Sequence, residues 1–223
     1  PDDQLMQLAA RGELRDPDIY ASEIARMLAD PKSQNLAYNF GVEWFSLNEI
    51  SKVSNNPPVS HALRQQPIDF LNYLFTEGRP LLELIDSKVA FVNPHTAKYY
   101  PADRNRMTAY RKQRGIEVEA VPNQRLELTN TPERGGLLTM PGVLAMNKGP
   151  VIRGTWMLER VMGEHLPDPP ANVGQVKPNQ RGENLTFRER FELHRSDTTC
   201  AICHNKIDPL GFAMQSYDAG GNY

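Results

Sequence analysis

Cysteine is nearly absent from this chain, with two in 223 residues. That scarcity excludes a disulfide-stapled scaffold and a four-cysteine zinc site. No run of about 18 apolar residues occurs, so no helical membrane span is expected. Neither sign of charge dominates: 25 basic and 27 acidic residues leave a formal charge of −2. That balance gives no argument for nucleic acid or an anionic membrane surface as partner. A Ser-His-Asp order, a P-loop and a Gly-rich dinucleotide fingerprint are also lacking, so no acid–base or nucleotide site is read. There is no internal repeat and no low-complexity tract. The sequence starts at Pro1 without a methionine and stops within "DAGGNY". It reads as a processed chain or part of a longer protein, so a missing signal peptide says little about compartment.

What is present is the composition of a folded domain, 39% hydrophobic and 23% charged, at a length that allows one large or two modest domains. Eighteen prolines predict long ordered loops between helices. "DDQLMQLAARG" predicts a helix with an Asp cap and a stop at Gly12. "DPDIYASEIARMLADP" offers Asp16 as N-cap and Pro17 at the first helical position, with Ile19, Ile24, Met27 and Leu28 on one face. Leu36, Phe40 and Trp44, four apart, predict the buried face of the next helix. "SNNPPVS" at 54–60 reads as loop, "HALRQQPIDFLNYLFTEG" as a helix closed by Gly78, and "RPLLELIDS" as a short helix. "IEVEAV" alternates like a strand, so a short hairpin is expected near 115–130. "RGTWMLERVMGEHL" and "LTFRERFELHRS" predict two more helices, the second capped by Asn184 or Thr186, separated by a Pro-rich loop.

Both cysteines lie in "DTTCAICHNKIDPLGFAM", residues 197–214. Two thiols three apart can form a redox disulfide, give half a zinc site, or add to the two vinyl groups of haem. His204 directly behind Cys203 decides. On one helical turn the thiols and the imidazole serve one haem, and C-x-x-C-H is the attachment signature of haem c. Zinc would need further ligands in a similar cluster, and a thioredoxin-like site would need a βαβ context. His204 is therefore the expected iron ligand.

Candidates for a second axial ligand are Met214, ten residues on, and the upstream Met140, Met146, His165 and His194. Arg153 is a candidate partner for a haem propionate, against the plainer reading of a helix-start arginine. Trp156 and Phe212 are candidates to pack on the porphyrin face, against ordinary core packing. The Tyr99–Tyr100 pair is a weaker candidate for a redox relay. Asp208, before Pro209, is expected to end the attachment helix.

The order "RGGLLTMPGVLA", "PVIRGTWMLERVMG", a Pro-rich loop and "RERFELHRSDTTCAICHNKIDPLGFAMQSYDAGG" resembles the C-terminal region of the large planctomycete-type cytochrome c proteins. "GELRDPDIYASEIARMLADPKSQNLAYNFGVEWFSL" and "RPLLELIDSKVAFVNPHTAKYY" resemble the domain of unknown function that precedes it there. The resemblance implies export to the periplasm or cell surface, one covalent haem c and a redox role. It implies Met140, directly after "GLLT", as the distal ligand. The segment "AMNKGPVIRG" is shorter than in such relatives, which puts in doubt any role of the missing residues.

The expectation is a mainly α chain: a helical N-terminal domain, residues 1–128, packed on a c-type haem domain, residues 129–223, with a small β element allowed. The expected function is electron transfer with other haem proteins or subunits of a redox complex. The alternatives are a haem enzyme with an open distal site, peroxidase-like or oxidative, and a structural subunit of a large assembly.

Overall fold

The computed structural model describes residues 1–107, 121–168, 176 and 179–223. The chain is mainly helical with a small sheet, and divides into two compact units, Pro1–Met146 and Asn147–Tyr223.

In the first unit, α1 (Asp3–Ala10) and α2 (Pro17–Ala29) start at aspartate caps. Asp2 accepts from Leu5 N, and Asp16 from Asp18 N and Ile19 N. Arg26 on α2 bridges Glu23 and Asp2, and Gln4 also donates to Glu23, which ties α1 to α2. Of the apolar face expected of α2, Ile19, Met27 and Leu28 are half-buried and Ile24 is exposed, while Glu23 is buried within this polar clasp.

The next helix, α3 (Gln34–Trp44), corrects a second expectation. Leu36 and Phe40 are exposed, while Ala37, Gly41 and Val42 are buried. The reason is close packing against α4 (Pro57–Thr76). A Cβ at Gly41 would lie 3.0 Å from Leu71 Cδ1, so α4 approaches the face that carries the small residues. Phe40 instead joins a peripheral aromatic cluster, 5.0 Å from Trp44 and 6.2 Å from Phe75 by ring centroids.

Helix α4 begins at Pro57, inside the expected loop, because Pro suits the first helical turn. It ends as expected at Gly78, whose φ of +59° lets Arg79 N bond back to Leu74 O. Pro67 sits within α4 and lacks the N–H that would bond Leu63 O. Gly142 packs directly on that carbonyl, where a Cβ would overlap it. This contact helps fold α5 (Pro141–Met146) into the first unit. The compact units divide after Met146.

The sheet pairs β1 (Val89–Val92) with β2 (Gln124–Glu127), antiparallel, Ala90 opposite Leu126. It is not the local hairpin expected near 115–130. Its partner strand comes from the earlier "VAFV", and residues 116–120 of "IEVEAV" lie outside the described residues. Next to the end of β2 in sequence, Thr129, Asn130 N and Thr131 donate to the fully buried Asp103, as does Arg106.

The second unit holds α6 (Pro150–Trp156), which runs into a π-helical turn, Met157–Val161, then α7 (Phe187–Arg195) and α8 (Thr198–Phe212). Thr186 and Glu189 form a reciprocal cap at the start of α7, which settles the choice between Asn184 and Thr186. Helix α8 starts at Asp197, whose carboxylate accepts from Thr199 N and Cys200 N. Those backbone bonds, Thr199 first, hold the Asp197 carboxyl below its usual pKa.

Candidate haem-attachment site

Helix α8 does not end at Asp208. It continues through Pro209 to Phe212. Tertiary packing outweighs the local penalty of the proline. Helices α6 and α8 cross at two glycines: a Cβ at Gly154 would overlap Ile207 O, and one at Gly211 would overlap Pro150 O. This close crossing holds the last turn of α8 in helical form and fixes how α8 presents its side chains.

Cys200, Cys203, His204 and Ile207 fall at i, i+3, i+4 and i+7, one face of α8. All four line a single cavity of about 380 Å³. Val151, Thr155 and Glu159 on the α6 side line the same cavity, as do His165, Leu166, Pro167, His194 and Thr199. Both cysteines are free thiols. Among the described residues, no group of three or more His, Cys, Asp or Glu side chains is arranged to hold a bare metal ion.

The imidazole of His204 is held from several sides. Its Nδ1 lies 2.8 Å from Asp208 Oδ1, four residues on along the same helix. A carboxylate only accepts, so in this contact Nδ1 is the donor. The His194 ring stands nearly perpendicular to His204, centroids 5.0 Å apart, and Phe191 lies at 6.0 Å. Asp208 is buried, and Arg195 Nη1 stands 3.7 Å from its other oxygen.

The loop beyond the π-helical turn is fastened over this helix. Met162 N bonds Met157 O, Gly163 takes a positive φ, and the Glu164 carboxylate pairs with Lys206 of α8. His165 follows directly and borders the cavity.

Three other candidates are placed elsewhere. Arg153 is buried, and its guanidinium donates to the carbonyls of Asn147, Met214, Tyr217 and Asp218. It clasps the C-terminal turn and is not among the residues that line the cavity. Burial pushes its pKa below the ordinary arginine value, partly offset by the nearby Asp218. Phe212 belongs to an aromatic cluster with Phe187 and Phe191, at 6.2 and 6.0 Å, and Phe191 in turn lies against His204. Trp156 is half-buried on α6 and does not line the cavity.

Of the methionines, Met214 is buried within the second unit and does not line the cavity. Met140 belongs to the first unit, where it is buried and borders a small cavity shared with Ala90, Tyr100 and Arg134. Tyr99 and Tyr100 are both buried in that unit, and Tyr100 accepts from Gln66.

Sequence reasoning treated Asp208 only as a helix terminator. The signal that could have found its role is the i, i+4 spacing from His204, which puts both on one stripe of any continuous helix.

Comparison with known families bears on this arrangement at once. Residues 134–223 match the family described as PSCyt3, protein of unknown function (DUF1588). Residues 1–101 match PSD4, protein of unknown function (DUF1592). Both are domains typical of planctomycete-type multihaem cytochrome c proteins. The first match runs from Arg134, so it takes in both Met140 and the C-x-x-C-H motif. No curated protein and no solved structure matches this chain. No helix among the described residues is long and apolar enough to cross a membrane.

The side chains at the α8 cavity fit a covalently bound haem. Two free thiols at the required spacing and the His204 imidazole share one cavity with apolar walls at Val151, Leu166, Pro167 and Ile207.

Proposed function

We propose that this chain is a c-type cytochrome. Cys200 and Cys203 would hold one haem covalently, and His204 Nε2 would be the proximal ligand to its iron. The observation that carries this reading is the shared cavity of both thiols and His204, together with the contact between His204 Nδ1 and the Asp208 carboxylate, which occupies the nitrogen that would not bind iron. Metal-ligating histidines commonly donate their second nitrogen to a carboxylate in this way.

When bound, the haem supplies a one-electron couple at iron. The protein's own part is to fix the attachment face through the Gly154 and Gly211 crossing, to orient His204, and to exclude water with Leu166, Pro167 and Ile207. Electron transfer is the reading that needs no further chemistry from the chain, because a carrier requires only a held haem with a tuned potential. Its partners would be other haem proteins or subunits of a redox complex. The resemblance to exported multidomain chains supports a periplasmic or cell-surface location.

The distal ligand proposed from the resemblance is Met140. His165 and His194 are the imidazoles that the second unit itself brings to the cavity. The oxidised and reduced spectra of the haem-loaded chain test the reading. A low-spin iron with a Met–iron charge-transfer band, lost in Met140→Ala, supports a Met-ligated carrier. A low-spin iron that lacks the band but becomes high-spin in His165→Ala keeps the carrier and moves the ligand. A high-spin iron that readily takes peroxide replaces the carrier by a haem enzyme.

A further inference from the structure

We infer that Asp208 is a positioning residue that sets the electron-donor strength of His204, and so lowers the reduction potential of the iron. This rests on the haem reading above.

The geometry is specific. Asp208 is 2% exposed, and its Oδ1 accepts from His204 Nδ1 across 2.8 Å. Its Oδ2 has no hydrogen-bond donor among the described residues. Arg195 stands 3.7 Å from it, too far for a hydrogen bond to its lone pairs. The negative charge of Asp208 therefore bears chiefly on the His204 N–H. An imidazole whose N–H is drawn toward a carboxylate gains anionic character at Nε2. Such a ligand stabilises ferric over ferrous iron.

The i, i+4 spacing on α8 makes this contact part of the helix itself, and the Gly211 crossing keeps the helix continuous through Pro209. The donor strength of the ligand is thus built into the same element that carries the two thiols.

The test uses the haem-loaded chain and three variants, Asp208→Asn, Asp208→Glu and Arg195→Gln. Covalent haem is measured first on denatured protein. The reduction potential and the iron–carbon stretch of the ferrous carbonyl adduct follow. Asp208→Asn is expected to shift both upward, because the amide oxygen still accepts but carries no charge. Asp208→Glu is expected to return both toward the parent values. Arg195→Gln removes a cation and is expected to move the potential the other way, by less, since Arg195 is partly exposed. A merely structural role for Asp208 would leave the carbonyl stretch unmoved. Haem retained with both readouts unchanged in Asp208→Asn overturns the inference. If that variant does not fold, an unchanged potential in Arg195→Gln overturns it equally. A parent chain without covalent haem overturns the functional reading instead.

Discussion

Gly154 on α6 faces Ile207 O on α8 so closely that a Cβ at residue 154 would overlap the carbonyl oxygen. The obstacle is backbone, which cannot turn aside as a flexible side chain can. Gly154→Ala is therefore expected to push α6 and α8 apart and destabilise the second unit by about 3 kcal/mol, at the upper end of overpacking costs. Denaturant unfolding followed by circular dichroism measures it. An unchanged midpoint would mean that the two helices do not cross at this point.

Arg153 makes a prediction of the opposite kind. Its guanidinium serves four backbone carbonyls, three of them in the turn Met214–Asp218. Arg153→Met keeps much of the volume but strands buried acceptors. The expected cost is roughly 3 kcal/mol, as for breaking a buried charged network. Proteolysis is expected to open the C-terminal turn first. Equal stability in Arg153→Met would place the arginine outside that network.

Acid stability of the first unit is expected to depend on Asp103. Burial alone would raise its pKa, but the bonds from Thr131, Arg106, Asn130 N and Thr129 outweigh it and hold the carboxyl below its ordinary value. A carboxyl with a depressed folded-state pKa stabilises above its unfolded value, about 3.9. That stabilisation is lost as pH falls through the folded value. Asp103→Asn is thus expected to lower stability at neutral pH and to flatten the decline between about pH 5 and pH 2. Unfolding midpoints across that range decide; parallel curves for parent and variant contradict the account.

The cap of α8 is expected to matter for haem attachment. Asp197 receives Thr199 N and Cys200 N and so shapes the turn that carries the first thiol. Asp197→Ala is expected to lower the yield of haem-bearing chain more than it lowers the midpoint of the loaded protein. Mass spectrometry of the purified chain separates the two effects.

Where the sequence was legible, local chemistry agreed with tertiary packing. Asp16 before Pro17, Thr186 before Glu189, and Gly78 after α4 each mark a helix end because caps and a left-handed glycine act within one turn. Cys200, Cys203 and His204 were legible as one site because a shared helical face follows from spacing alone.

Other features depended on partners far along the chain. The buried face of α3 is Ala37 and Gly41 because α4 comes close, and size at Leu36 and Phe40 misled. β1 pairs across more than 30 residues with β2, a contact no local alternation reveals. Asp208 was misread because Pro209 argues locally for a helix end, while the α6 crossing carries the helix on.

The most direct test of the central claim is the haem spectrum of the denatured chain, produced in cells that carry out covalent haem attachment. The account predicts one haem per chain that acidified organic solvent does not extract, retained in Met140→Ala and lost when Cys200 and Cys203 are both replaced by alanine. A chain that carries no haem, or one freely extracted by the solvent, would contradict it.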